Sequence, residues 1–256
     1  MHPTALITGA SSGIGWELAH IHAEHGGNLI VVARRLDRLQ QLKKELEQKH
    51  SVDVTVIQKD LSTSHAAEEL YQDVKSRNLK VDYLINNAAV GGCGFFQEWD
   101  WPYYQGMINL NVMELAGLTR LFLDDMIERD FGKILNVSSG TGFIPGPKHA
   151  VYYATKAFVN SFSEAVADEV SGRNITVTAF CPGATKTEFG NNIRAPRNKG
   201  FNRRFSSARK VAEYGYQAML KGTPMAIYGL TLKIVVHGIL RLLPRSVITK
   251  LSRANN

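Results

Sequence analysis

The sequence predicts an α/β fold with a doubly wound parallel sheet in a single domain. Apolar runs of strand length alternate with longer helical patterns. These runs are rich in Val, Ile and Leu with little polar alternation, as strands buried on both faces of a parallel sheet require. The 256 residues, 44% hydrophobic and 21% charged, have the composition of a globular protein and a length that one α/β domain commonly reaches.

Six strands are predicted, and each precedes a helical stretch. They cover residues 5–8, 29–33, 54–58, 83–86, 133–137 and 176–180. In such sheets, ligands bind at the carboxyl ends of the strands, where the strand order reverses. We therefore expect functional residues directly after the strands.

The first strand runs into a glycine-rich turn, TGASSGIG, that opens an amphipathic helix. Gly9 allows the tight turn, Gly13 lets the backbone approach a pyrophosphate, and Gly15 permits close packing of helix on strand. The helix N-terminus offers free N–H groups to phosphates. The turn predicts a Rossmann-type dinucleotide site, with a purely structural turn as the alternative. The predicted contacts in it are Gly9, Ser11, Ser12, Gly13, Ile14 and Gly15.

The residues after the second strand predict which dinucleotide binds. An NAD site normally places Asp or Glu there, whereas this strand ends Val-Ala-Arg34-Arg35. A guanidinium can grip a 2′-phosphate bidentately, so the sequence favours NADP(H), with Arg34 ahead of Arg35 as the contact. The alternative is that these arginines and Arg38 form the solvated start of a helix.

Three residues form a candidate catalytic group. Tyr152 and Lys156 are spaced four residues apart in a helical stretch, which places both side chains on one face. Ser139 lies thirteen residues before Tyr152, just after the fifth strand. Taken singly, Ser139 could cap a turn and Lys156 could be a solvated helix charge.

With these motifs, the sequence resembles the short-chain dehydrogenase/reductase family, in its single-domain, NADP-preferring form, over roughly residues 3–190. The resemblance implies that Ser139, Tyr152, Lys156 and Asn111 are catalytic. It implies an adenine contact from Asp60 and nicotinamide-end contacts from two threonines. Beyond the turn and the arginines, the implied cofactor contacts are Asp60, Leu61, Asn87, Ala88, Tyr152, Lys156, Pro182, Gly183, Thr185 and Thr187.

The sequence departs from the family pattern at two positions near the residues that the resemblance assigns to the site. Ala89 stands where the family motif NNAG has glycine, which adds a methyl group near the cofactor. Tyr153 adjoins Tyr152 but lacks the spacing to Lys156.

The residue types fit carbonyl reduction. Negative charge develops on the carbonyl oxygen as hydride arrives, and an acid must supply a proton. An ordinary tyrosine, with a pKa near 10, is a reluctant acid, and we expect the Lys156 ammonium to lower the pKa of Tyr152. Ser139 would polarise the carbonyl. In the family, Asn111 would hold a water that relays protons through Lys156; a helix kink is its structural alternative.

The predicted function is therefore an NADP-dependent oxidoreductase that transfers hydride between NADPH and the carbonyl or alcohol group of a small hydrophobic substrate. The alternative is an NADP-binding regulatory or scaffold protein without turnover. An intact catalytic group argues against that alternative, because a sensor would need only the glycine turn and the arginines.

The positive charge is concentrated in the C-terminal part. Residues 1–190 hold 17 basic and 22 acidic side chains, whereas residues 191–256 hold 13 and 1. No nucleic-acid-binding module is visible, so no nucleic-acid partner is expected. We interpret residues 190–256 as a polar, basic substrate lid followed by an apolar, cation-bearing segment from residue 228. That segment could be buried on the sheet, lie on a membrane surface as a basic interfacial helix, or form a wall for a long acyl or steroid-like substrate.

Other features indicate environment and assembly. Cys93 and Cys181 cannot form a disulfide framework and lack zinc spacing. His20, His22 and His25 do not share a helix face, so no metal is expected. The N-terminus lacks the pattern of a secretory signal, which predicts a cytoplasmic protein. The resemblance implies a homodimer or homotetramer. Six of the ten residues at 95–104 are aromatic, and this stretch could line a substrate mouth or serve in packing or a subunit contact.

Overall fold

A parallel sheet of seven strands forms the centre of the protein. The computed structural model describes residues 2–189 and 205–254. The strands of the sheet are β1 (Thr4–Thr8), β2 (Asn28–Ala33), β3 (Val54–Gln58), β4 (Tyr83–Asn86), β5 (Gly132–Val137), β6 (Ile175–Cys181) and β9 (Met225–Ile227). Their order is β3-β2-β1-β4-β5-β6-β9, and all neighbours pair in parallel. The predicted fold class is confirmed.

Helices cover both faces of this sheet. They are α1 (Gly13–Glu24), α2 (Leu36–Lys49), α3 (Ala66–Ser76), α4 (Trp101–Ile108), α5 (Leu115–Arg129), α6 (Ala150–Glu169), α7 (Ala208–Leu220), α8 (Leu230–Ile234), α9 (Leu240–Leu242) and α10 (Arg245–Ala254). A π-helical turn, Asn109–Glu114, joins α4 to α5, and a second, Val235–Ile239, joins α8 to α9. Short 3₁₀ turns span Phe96–Glu98 and Gly140–Phe143.

The apolar periodicity of the helices explains the two main core layers. Leu18 of α1, Leu39 of α2 and Tyr216 of α7 are buried on one face of the sheet. Leu70 of α3 and Phe122 of α5 are buried on the other. Strands covered on both faces need apolar residues at nearly every position, as their sequences have.

The strand order reverses between β1 and β4. β1 pairs with β2 on one side and with β4 on the other, so that Leu6 lies opposite Ile30 of β2 and Leu84 of β4. Chain connections from β1 to β3 proceed to one side, and those from β4 onward proceed to the other. The cleft at the carboxyl ends of β1 and β4 is therefore where a ligand is expected to bind.

The sequence patterns miss three short strands. β9 has three residues, too few to show a period. β7 (Thr185–Lys186) and β8 (Ser206–Ser207) form a separate parallel pair. The predicted lid residues between them, 190–204, lie outside the described residues.

The C-terminal helices α8, α9 and α10 bury some of their apolar residues against the domain and expose others to solvent. Val236 and Ile248 are buried, and Val236 forms a third apolar cluster with Cys181 and Ile227. Leu242 is 84% exposed. Within residues 2–189 and 205–254, the helices are too short or too polar for one to cross a bilayer.

Candidate active site

The glycine turn joins β1 to α1 in tight contact with the end of β4. Gly9 has a φ of +67°, and a Cβ at Gly15 would lie 2.5 Å from the Gly9 carbonyl oxygen. Both positions therefore require glycine. The Asn87 amide donates to the Thr8 carbonyl at 2.9 Å, and the Ala88 N–H donates to the Thr8 hydroxyl at 3.0 Å. The turn is fixed at the switch point, with Ser12 immediately before the first residue of α1.

The two predicted arginines point in different directions. Arg35 donates from its guanidinium to the Ser11 carbonyl oxygen at 3.2 Å and to the Ser11 hydroxyl at 3.1 Å. The side chain of Arg34 is 66% exposed and lies 3.9 Å from the Asp60 carboxylate. Leu61, next to Asp60, is buried in the core. Of the two arginines, Arg35 is the one that hydrogen-bonds the glycine turn, whereas the sequence favours Arg34.

Ser139, Tyr152 and Lys156 lie together beside the end of β5. Ser139 precedes the 3₁₀ turn, and its hydroxyl accepts from the Thr141 N–H at 3.1 Å. Tyr152 and Lys156 lie one turn apart on α6, with the Lys156 amine 5.9 Å from the centre of the Tyr152 ring. Lys156 is only 2% exposed and donates to the Val137 carbonyl oxygen at 2.8 Å.

The acidities in this group differ from those expected. Burial raises the pKa of Tyr152, and a hydrogen bond with Ser139 offsets that rise only in part. Burial also lowers the pKa of Lys156 to about 8. The expected lowering of the Tyr152 pKa by Lys156 is wrong for the protein alone, because desolvation disfavours the charged forms of both groups.

Asn111 lies in the π-helical turn between α4 and α5, and its contacts are structural. Its side chain accepts from the Val90 N–H at 3.0 Å and donates to the Val90 carbonyl oxygen at 2.9 Å. It also donates to the Thr155 hydroxyl at 3.1 Å, and Thr155 donates to the Tyr152 carbonyl oxygen at 2.7 Å. Asn111 thus ties the loop after β4 to the turn of α6 that carries Tyr152.

The segment after β6 borders the same cleft. The Gly140 N–H donates to the Pro182 carbonyl oxygen at 2.9 Å, which ties the residue after Ser139 to the end of β6. Thr185 donates to the Gly183 carbonyl oxygen at 3.0 Å. Thr187 approaches the glycine turn, since a Cβ at Gly13 would lie 3.0 Å from its methyl carbon.

Sequence reasoning missed one charged group near the cleft and left an apolar one among three interpretations. Glu188 pairs with Arg35 and Arg38. Leu232 of α8 lies beside Gly140, the residue after Ser139, since a Cβ at Gly140 would be 2.6 Å from the Leu232 side chain. Leu232 belongs to the apolar segment for which a substrate wall is one of three interpretations. The acidity of Glu188 at the edge of a basic region is its only signal in the sequence.

A buried polar network also escaped prediction. The Asn86 amide donates to the Asn136 side chain at 2.9 Å and to the Thr119 hydroxyl at 3.1 Å. Asn136 in turn donates to the Ser163 hydroxyl at 3.0 Å. The network joins the ends of β4 and β5 to α5 and α6, and so fixes the elements that carry the candidate site.

These features define an α/β protein with a glycine turn at its switch point and a Ser-Tyr-Lys group beside the neighbouring end of β5. A family model described as short chain dehydrogenase matches residues 3–198. The chain belongs to this family of oxidoreductases.

Similar proteins agree with this assignment. The very-long-chain 3-oxoacyl-CoA reductase of Homo sapiens is 31% identical over 205 residues, which are 75% of this chain. The match spans only 62% of that relative's length. Among solved structures, one of a 7beta-hydroxysteroid dehydrogenase has a TM-score of 0.87 and 25% identity, covering 98% of this chain and 96% of its own.

Solved relatives differ in their cofactor. A short-chain dehydrogenase from Sphingobium yanoikuyae, in complex with NADPH, has a TM-score of 0.83 and 28% identity, covering 94% of this chain and 96% of its own. Another from Burkholderia phymatum, in complex with NAD, covers 98% of this chain and 95% of its own with a TM-score of 0.81, but at 23% identity it shows the fold alone.

Proposed function

We propose that the protein is an NADP(H)-dependent oxidoreductase that reduces the carbonyl group of a small hydrophobic compound. One observation carries the proposal. Ser139, Tyr152 and the buried amine of Lys156 lie together at the carboxyl edge of the sheet, on the side of the glycine turn, and the Ser139 hydroxyl acts on the pKa of the Tyr152 phenol.

The residues present fit a dinucleotide. The turn has no side chain at Gly9, Gly13 or Gly15, and α1 begins at its end, so backbone N–H groups are available to a pyrophosphate. Arg35, fixed on Ser11 beside this turn, would hold a 2′-phosphate, which favours NADP(H) over NAD(H). When bound, the reduced cofactor supplies the hydride.

The protein's own residues then manage the oxygen of the substrate. Ser139 would donate a hydrogen bond to the carbonyl oxygen and stabilise the negative charge that develops on it. Tyr152 would deliver the proton to the same oxygen. Burial keeps the phenol of Tyr152 protonated at neutral pH but also makes it a weaker acid, so delivery of the proton depends on groups that stabilise the phenolate. Lys156 would help to stabilise the phenolate left behind.

An apolar substrate is favoured by the side chains around this group. Leu232 lies beside Gly140 and within 4.0 Å of a Cβ at Gly183. The Phe189 ring lies 5.7 Å from that of Tyr152. These two side chains are apolar, so we expect long acyl or steroid-like carbonyl compounds to react best.

Steady-state turnover tests the proposal directly. NADPH and NADH oxidation would be followed with a panel of aliphatic, aromatic, steroid and acyl carbonyl compounds. We expect turnover with NADPH and an apolar ketone or aldehyde, and a loss of at least about a hundredfold in Tyr152→Phe. Tyr153→Phe is the matched control, since it removes the neighbouring phenol and should remain within a few-fold of the parent.

Two results would contradict the proposal. Full turnover by Tyr152→Phe on a true substrate would remove the assigned acid. NADPH binding without oxidation by any compound of the panel would instead favour the regulatory or scaffold protein.

We further propose that the C-terminal helices contact an anionic lipid surface. From residue 228 onward the sequence has five Lys or Arg residues and no acidic one. Leu230, Ile234, Leu242 and Leu251 are 52–84% exposed. Exposed apolar residues interleaved with cations favour the interface of a negatively charged bilayer.

Vesicle binding tests this contact. Since Val236 and Ile248 are buried, the test uses point changes that leave the core intact. Arg245→Glu combined with Lys250→Glu should reduce binding to phosphatidylserine vesicles by at least about tenfold. Lys44→Glu with Lys49→Glu, on α2, is the control. Equal binding by both variants, or concentration-dependent self-association in place of vesicle binding, would contradict a lipid contact.

A further inference from the structure

The carboxylate of Glu188 occupies the arginines that would hold a 2′-phosphate. One of its oxygens accepts from Arg35 at 2.8 Å, and the other accepts from Arg38 at 3.4 Å. The hydrogen bond from Arg35 is the largest cause that holds the pKa of Glu188 below its usual range, and the charge of both arginines and a hydrogen bond with Ser12 add to it. Glu188 is thus an ionised group between the glycine turn and the start of α2.

The neighbours of Glu188 extend this contact across the cleft. Thr187 lies against Gly13 in the glycine turn, while Phe189 packs on Tyr152. A Cβ at Gly91 would lie 3.0 Å from the Phe189 ring and 3.3 Å from that of Tyr152. Three consecutive residues therefore touch the phosphate-binding turn, the arginines and the candidate catalytic tyrosine.

We propose that Glu188 is an internal competitor for the cofactor phosphate, and this inference rests on the proposed use of NADP(H). A guanidinium binds carboxylate and phosphate through the same N–H groups. The 2′-phosphate of NADP(H) would compete with Glu188 for the N–H groups of Arg35 and Arg38. NAD(H) lacks that phosphate and leaves the ion pairs in place. Glu188 therefore sets the affinity for NADP(H) and its margin over NAD(H).

The solvent exposure of the Glu188 ion pairs determines how strongly Glu188 lowers the affinity for NADPH. The side chains of Arg35, Arg38 and Glu188 are all 40–42% exposed. Ion pairs this accessible to water are weak, so Glu188 is replaced readily and lowers the apparent affinity by a modest factor. Removing its charge should tighten NADPH binding about three- to tenfold. NADH binding should change less than about twofold.

Binding measurements on the full chain test this inference without relying on turnover. Dissociation constants for NADPH and NADH would be measured by calorimetry for the parent and Glu188→Gln, which keeps the size but removes the charge. The fragments 2′,5′-ADP and 5′-AMP would be measured too. They lack the nicotinamide, so they separate the phosphate exchange from any effect of Phe189 on Tyr152. Glu128→Gln, near the end of α5 and on the side where β5 begins, is the matched control.

The outcomes separate this inference from the proposed function. Tighter NADPH and 2′,5′-ADP binding in Glu188→Gln, with NADH, 5′-AMP and Glu128→Gln unchanged, supports the competition. Unchanged or weaker NADPH binding overturns it, and weaker binding would mean that Glu188 positions the arginines. Failure of the parent to bind either dinucleotide would instead contradict the proposed function.

Discussion

Acid should destabilise the protein through one buried histidine. His22 of α1 is fully buried, with Nδ1 2.8 Å from the Tyr216 hydroxyl and Nε2 3.1 Å from the Pro3 carbonyl oxygen. Since a carbonyl only accepts, Nε2 carries the proton and Nδ1 accepts from Tyr216. Burial lowers the pKa of His22 from 6.5 to about 4. The folded protein therefore holds a neutral ring in this position.

The sign and size of the effect follow from linkage. Between pH 6.5 and pH 4 the unfolded chain binds a proton at His22 that the folded protein excludes. The stability that depends on neutral His22 is complete above pH 6.5 and is lost as the pH falls toward 4. Between about pH 7 and pH 5 the loss from this residue amounts to about 2 kcal/mol.

Urea denaturation of the parent and His22→Gln at about pH 7 and pH 5 measures this loss. The glutamine side chain would keep a donor and an acceptor but cannot titrate, so the stability advantage of the parent should shrink by about 2 kcal/mol at the lower pH. Tyr216→Phe, which retains His22 but removes the hydrogen bond to Nδ1 of the neutral ring, should weaken the pH dependence of the parent without abolishing it. An advantage that is the same at both pH values would refute the reasoning, as would an NMR titration of the His22 ring with a midpoint near its ordinary value of 6.5.

Three further predictions concern the site and the assembly. Lys156→Met should abolish turnover yet raise stability at about pH 7, because it removes a buried amine whose pKa is about 8. The gain measured by urea denaturation should be up to about 3 kcal/mol, reduced by the loss of the hydrogen bond to the Val137 carbonyl oxygen. Gly15→Ala should lose NADPH binding and about 1–3 kcal/mol of stability, because its Cβ would overlap the neighbouring turn. Gly106→Ala, whose Cβ would meet no atom within 4 Å beyond the backbone of its own helix, should lose neither. The resemblance implies a homodimer or homotetramer, and we propose Phe158, 39% exposed on α6, as one of its contacts; Phe158→Glu should then lower the mass measured by light scattering, and an unchanged mass would contradict that contact.

The fold was predictable because its signals are local. The strand patterns, such as the apolar run that forms β2, reflect burial on both faces. The glycine turn and the spacing of Tyr152 and Lys156 are also local, and the structure brings these two side chains together with Ser139. β9 escaped because its pairing with β6 depends on a neighbour more than forty residues away in sequence, and three residues show no period of their own.

The pKa shifts of Tyr152 and Lys156 and the pairing of Glu188 with Arg35 could not be predicted from the sequence, because they depend on tertiary structure. The four-residue spacing of Tyr152 and Lys156 gives their proximity but not their desolvation, which raises one pKa and lowers the other. Likewise, Glu188 lies 153 residues from Arg35 in sequence, so no local pattern could pair them.

The site therefore depends on how the sheet edge brings distant charges together. Arg35 follows β2, whereas Glu188 follows β6, and the fold ends both strands at the same edge. The basic character of the position after β2 would suggest a phosphate site of full strength. The acid supplied from β6 reduces that strength, because an arginine already paired with a carboxylate must exchange one anion for another. An inference from the arginines alone would then overstate the affinity for NADP(H). The acidic residue between β6 and β8 has to be considered together with the arginines after β2.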